Sequence, residues 1–140
     1  MSKTAVVFWS GTGNTEEMAK AVLEGMKENG ADASIYSADA FQAGDVDGYD
    51  AIAFGCPAMG AEVLEEDEFQ PLFDECKSAL EGKKVALFGS YGWGDGEWMR
   101  NWEDDCREAG IELACDSVVC NDAPDEDAIT ACKELGAALA

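Results

Sequence analysis

Three short apolar runs, Val6-Val7-Phe8-Trp9, Ala51-Ile52-Ala53-Phe54 and Val85-Ala86-Leu87-Phe88, are each followed by a loop of small residues and later by a segment of helical period. The first is followed by Met18, Ala19, Val22, Leu23 and Met26. The second leads to Phe69, Leu72, Phe73, Cys76 and Leu80, and the third to Trp98, Met99, Trp102, Cys106 and Ala109. Uninterrupted apolar runs suit strands buried on both faces, and the periodic segments suit helices with one apolar side. A weaker edge strand is expected at residues 33–37, after Gly30 stops a first helix over residues 16–29. Residues 111–119 read as a last strand and 125–140 as a final helix. Five strands alternating with helices predict an α/β fold, a doubly wound parallel sheet with helices on both faces and right-handed crossovers. The 140 residues show no repeat, linker or low-complexity tract, and read as a single domain spanning 1–140.

Sheets of this kind bind ligands outside the carboxyl ends of their strands. Three loops fall there, and all are unusual. The first, Ser10-Gly11-Thr12-Gly13-Asn14-Thr15, sets three hydroxyls and several backbone N–H groups at the start of a helix, where the dipole favours an anion. It reads as a phosphate site without Lys or Arg. A dinucleotide fingerprint would need a third glycine where Glu16 stands, and a nucleoside-triphosphate loop would need a Lys-Ser/Thr ending. A turn needed only for shape would explain Gly11 and Gly13 but not Ser10, Thr12, Asn14 and Thr15 together.

The loop Gly89-Ser90-Tyr91-Gly92-Trp93-Gly94-Asp95-Gly96 places an indole among four glycines, a poor setting for a core residue and a good one for stacking on a flat ring. Trp98 and Trp102 lie on a helical apolar face and are expected in the core. The loop Pro57-Ala58-Met59-Gly60-Ala61-Glu62 offers a thioether for the opposite ring face, a conformationally free glycine and a carboxylate. One phosphate, a polar linker and a planar heteroaromatic ring describe flavin mononucleotide (FMN).

Charge narrows the partners. Thirty acids stand against nine bases, with no His and a net charge of −21. Nucleic acid and anionic membranes both require a basic footprint, so neither is expected as a partner. Basic protein surfaces are favoured. There is no apolar run of membrane-spanning length and no recognisable targeting segment, which predicts a cytoplasmic protein. Cys56, Cys76, Cys106, Cys115, Cys120 and Cys132 include no Cys-x-x-Cys pair. Cys115 and Cys120, on a continuous strand, would be about 16 Å apart, beyond disulfide reach. Reduced, mostly buried thiols are expected, and no zinc or iron–sulfur site.

These loops also carry a resemblance. Trp9-Ser10-Gly11-Thr12-Gly13-Asn14-Thr15, Ala58-Met59-Gly60 with Glu62, and Phe88-Gly89-Ser90-Tyr91-Gly92-Trp93-Gly94 resemble the loops of short-chain flavodoxins nearly residue for residue, and the likeness spans essentially the whole chain. It implies a flavodoxin-like sheet of order 2-1-3-4-5 and a monomeric, low-potential one-electron carrier rather than an enzyme. Its FMN would be tightly but not covalently held, cycling between neutral semiquinone and anionic hydroquinone. By position, Ser10, Thr12, Asn14 and Thr15, with backbone amides from Gly11 to Gly13, would hold the phosphate. Met59 and Trp93 would flank the ring. Glu62 and backbone groups of Ala61, Tyr91 and Gly92 would meet its pyrimidine edge, and Gly60 would turn its carbonyl toward flavin N5. Ala58, Ser90 and Gly94 complete the implied set. Pro57 departs from relatives that carry a serine there.

The acids Glu62, Glu65, Glu66, Asp67, Glu68, Asp95 and Glu97 flank two of the loops and are expected to lower the last reduction potential and to meet basic redox partners. Glu65 to Glu68 are equally readable as a solvated helix start. A flavin reductase using a nicotinamide nucleotide is the alternative; it would need a basic second cleft that the nine basic residues do not form near these loops. A phospho-acceptor module on the same sheet would need an aspartate where Gly55-Cys56 stand.

Overall fold

In a computed structural model describing residues 2–11, 13–59, 63–92 and 94–140, the apolar runs become strands and the periodic segments become helices. The order is β1 (Lys3–Phe8), α1 (Asn14–Glu28), β2 (Asp32–Ser37), β3 (Ala51–Gly55), α2 (Phe69–Cys76), β4 (Lys84–Tyr91), α3 (Glu97–Glu108), β5 (Val118–Asn121) and α4 (Glu126–Leu139), with short 3-10 turns between some of them. The five strands form one parallel sheet of order β2-β1-β3-β4-β5. The expected fold class and strand order are therefore observed. The order reverses between β1 and β3, which places a switch point at the carboxyl ends of these two strands.

Alternate residues of the central strands enter two separate cores. Ala5, Val7, Ile52, Phe54, Val85 and Leu87 face α2 and α3, whose Phe69, Phe73, Trp98 and Trp102 are all buried. Val6, Ala51, Ala53, Ala86 and Phe88 face α1 and α4, with Met18, Val22, Met26, Cys132 and Leu135. The two tryptophans on α3 are core residues, as their helical spacing predicts. On the other face, a side chain at Gly25 would overlap the Lys133 carbonyl, and one at Gly136 would overlap the Val22 carbonyl. Helices α1 and α4 therefore touch backbone to backbone.

The last strand is shorter than its sequence suggests. Ile111 is buried and Leu113 forms one parallel bridge to Val85, with Ala114 N–H donating to the Val85 carbonyl at 2.8 Å. The chain then leaves the ladder, and the Ser117 hydroxyl donates to Glu103 at 2.7 Å. Regular pairing with β4 resumes only at Val118. Cys115 and Cys120 are thus not on one continuous strand. All six cysteines are free thiols, four of them buried. Burial pushes Cys56, Cys106 and Cys132 up to about 12 and Cys76 to about 11, so these thiols are inert at neutral pH. Among the described residues, no helix is long and apolar enough to cross a membrane, and no group of three His, Cys, Asp or Glu could hold a metal ion.

Candidate functional site

At the carboxyl end of β1 the chain turns into α1 through a loop organised by one hydroxyl. Ser10 Oγ accepts from the N–H of Gly13 at 3.1 Å and from that of Glu16 at 3.3 Å, leaving its own hydrogen to donate outward. Gly13 has φ +96°, a conformation costly for any residue with a Cβ, and it supplies no side-chain cap to α1. First-turn helical amides have no intrahelical acceptor. The start of α1 therefore presents N–H groups to the same space that the Ser10 hydroxyl can reach. Thr15 is buried, and its Oγ1 accepts from Ser90 N–H at 3.4 Å, tying this loop to β4.

The second loop leaves β3 at Cys56. Its two ends are clasped: Glu65 N–H donates to Cys56 Sγ at 3.4 Å, and Trp98 Nε1 donates to the Cys56 carbonyl at 3.1 Å. Within it, Met59 N–H donates to the Val63 carbonyl at 2.9 Å. Glu65 is 6% exposed, and its carboxylate accepts from the N–H groups of Asp67 (2.9 Å), Glu68 (2.7 Å) and Phe69 (2.8 Å). Burial alone would raise its pKa, but these three bonds outweigh that and hold it below the ordinary 4.5. Glu65 is thus a buried anchor for the start of α2. The expectation of a solvated acidic run applies to Glu66, Asp67 and Glu68, which are exposed.

The loops close around a cavity of about 210 Å³. Trp9, Gly11 and Asn14 line it from the first loop, Pro57, Ala58 and Met59 from the second, and Ser90, Tyr91 and Gly92 from the end of β4. The structure thus gathers Gly11, Asn14, Ala58, Met59, Ser90, Tyr91 and Gly92 as the sequence anticipates. Ser10, Gly13 and Thr15 build the scaffold of the first loop, and Gly94 (φ +88°) bends the third. Thr12, Gly60, Ala61, Glu62 and Trp93 lie outside the described residues. Among the described residues the lining has no Lys or Arg.

A fourth wall is absent from the sequence reading. Asp122, just past β5, lines the cavity and has φ +58°, the one positive φ outside glycine among the described residues. Its N–H donates to the Tyr91 carbonyl at 2.7 Å, and its carbonyl accepts from the Ser90 hydroxyl at 2.6 Å. Nothing in Asn121-Asp122 resembles a ligand motif; Asp does tolerate the left-handed region better than most residues, which is the faint signal available.

The site is thus a loop of neutral donors at the start of α1 beside a wall of small and apolar residues and Asp122. The flavodoxin family model covers residues 6–136. The chain belongs to the flavodoxin family. It is 43% identical to the flavodoxin of Clostridium beijerinckii over 96% of this chain and 97% of that one, and 44% identical to the flavodoxin of Megasphaera elsdenii over 96% of each. The solution structure of two-electron reduced Megasphaera elsdenii flavodoxin superposes with a TM-score of 0.89, covering 97% of both chains at 43% identity. Flavodoxins are FMN-binding electron-transfer proteins that act with redox partners, and they are not enzymes.

Proposed function

We propose that this chain is a low-potential one-electron carrier holding FMN tightly without a covalent bond, and that it cycles between the neutral semiquinone and the anionic hydroquinone. The observation that carries the reading is the cavity at the carboxyl ends of the strands, lined among the described residues by neutral donors, apolar groups and one acidic residue, Asp122, with no cation. Such a lining holds an organic phosphate without transferring it. The residues fit the cofactor chemically. The Ser10 hydroxyl and the amides at the start of α1 suit a terminal phosphate, while Met59, Ala58 and the glycine-flanked Tyr91 segment suit a flat ring. At about 210 Å³ the cavity is smaller than the roughly 300 Å³ and upward of enclosing small-molecule sites. It favours a ring with one edge left open to a partner.

When bound, FMN supplies the redox chemistry. The chain's own part is to hold and bias it. Ser10, Thr12, Asn14 and Thr15, with the amides of Gly11 and Gly13, would bind the phosphate. Met59 and Trp93 would cover the ring, supported by Ala58 and Gly94. Glu62 and the backbone of Ala61, Tyr91 and Gly92 would bond its pyrimidine edge, and the Gly60 carbonyl would accept a hydrogen bond from N5–H. With no cation in the lining, the phosphate keeps its negative field, and the surrounding acids add to it. Both disfavour the last electron, making the reduced protein a strong donor. Residues 1–140 act as one FMN-binding unit, a cytoplasmic monomer whose acidic surface meets basic partners. The buried free thiols suit a reducing compartment.

Anaerobic titration of the FMN-loaded protein with dithionite tests this. Half-reduction should produce the long-wavelength band of the neutral radical, with no oxidation of NADH or NADPH unless a partner protein is added. Direct two-electron bleaching, or nicotinamide oxidation by the protein alone, would overturn it.

A further inference from the structure

Every polar group of Ser90 is engaged with a different part of the site. Its N–H donates to Thr15 Oγ1 at 3.4 Å, reaching the phosphate loop. Its carbonyl accepts from Ala58 N–H at 3.0 Å, reaching the loop after β3. Its hydroxyl donates to the Asp122 carbonyl at 2.6 Å, reaching the loop after β5. Ser90 is 4% exposed and its bond to Thr15 is buried, while its hydroxyl bond, reaching out to the exposed Asp122, is partly buried; losing a bond at a buried group leaves a partner unsatisfied. The hydroxyl hydrogen is already committed to protein.

Asp122 depends on that bond. At φ +58° it sits where a side chain is disfavoured, and such a conformation persists only when neighbours over-determine it. Three bonds do so here: the Ser90 hydroxyl at 2.6 Å and, more weakly, the Cys120 thiol at 3.6 Å both donate to its carbonyl, and its own N–H donates to the Tyr91 carbonyl. The result is a turn that brings Asp122 against Gly92: a Cβ built on Gly92 would lie 3.5 Å from Asp122 Oδ1.

We propose that Ser90 is the positioning residue of the site, joining its loops and, through the Asp122 carbonyl, holding the left-handed turn that makes Asp122 the cavity's fourth wall. The inference rests on the FMN reading above. Ser90 acts through its neighbours and does not touch the cofactor with its hydroxyl.

Fluorescence of released FMN gives the dissociation constant of the loaded protein, and visible circular dichroism reports how the bound ring is seated. S90A should weaken binding about tenfold, the upper order expected for one partly buried hydrogen bond, and should alter the visible dichroism. D122V, whose β-branched side chain resists positive φ, should cause a similar loss, and D122G a smaller one than D122V. The double variant S90A/D122V should bind no more weakly than the weaker single variant, because both break one connection. Binding by S90A within twofold of the parent overturns the proposal. So do losses that multiply in the double variant, the pattern expected if Ser90 contacts FMN directly. Should S90A fail to fold, D122V decides: affinity within twofold of the parent sinks the idea. A parent protein that retains no FMN at all fails the cofactor reading instead, and the parent arm reveals this by itself.

Discussion

The two faces of the sheet are packed by opposite means. Behind α2 and α3 lie large rings set edge to face: Phe54 on Phe73 at 5.1 Å, Phe69 on Trp102 at 5.4 Å, and Phe73 on Trp102 at 5.5 Å. Behind α1 and α4 the side chains are mainly aliphatic, Met18, Val22, Met26 and Leu135 among them, and Gly25 and Gly136 let the two helices meet through their backbones. The loop at the start of α1 is the proposed phosphate cradle, whereas the loops leading into α2 and α3 carry the groups proposed to face the ring. The phosphate end is therefore fixed by backbone contact that cannot be repacked. The proposed ring end rests on a face packed by side chains, which suits a proposed occupant that changes charge.

The largest expected effect comes from the aromatic face. F73A should cost about 3–5 kcal/mol, the range for emptying a buried aromatic position, measured by urea unfolding. Its effect on FMN retention should be small for so large a loss. G136A should cost less stability, about 1–3 kcal/mol for overpacking, partly offset by better helix propensity. It should nevertheless weaken FMN binding more than F73A does, because separating α1 from α4 displaces the phosphate loop. If F73A is the more damaging of the two to FMN affinity at a temperature where both variants are folded, the division of labour fails.

The smallest and sharpest effect concerns Glu65. Its carboxyl is held below the ordinary value, so its contribution is present above pH 4.5 and is lost as pH falls through the lowered value. E65Q should reduce stability at pH 7 by about 1–3 kcal/mol and flatten the acid side of the stability profile. Urea unfolding repeated at pH 7, 5 and 3 would read this. An unchanged acid limb would show that the charge of Glu65 is not what anchors α2.

Much of this organisation is legible in the sequence because burial on both faces leaves uninterrupted apolar runs, and β1, β3 and β4 have them. The start of α1 is two residues earlier than the expected residue 16, since a helix begins where carbonyls start to accept, here Gly13 C=O from Glu17 N–H, and not where packing begins. β5 is misread because Ile111 and Leu113 look like strand residues, yet one is packed into the core and the other makes a single bridge. Glu65 is hidden inside a run of acids, and only three-dimensional placement separates a buried anchor from solvated neighbours. Asp122 carries no motif; its role is set by a backbone angle and by bonds to Ser90 and Tyr91, which are distant in the chain. Side chains that recognise a ligand leave a local pattern. Those that hold other loops in place do not.

The meeting of α1 and α4 has a consequence for biogenesis. A ribosome completes α1 long before it makes Lys133 and Gly136, the residues against which α1 is seated. Until then the helix carrying the proposed phosphate loop lacks the surface that fixes its position, and closing so distant a contact is a late event in folding. Cofactor capture would therefore follow synthesis of the last helix, and any nascent chain interrupted before α4 would leave the flavin pool untouched.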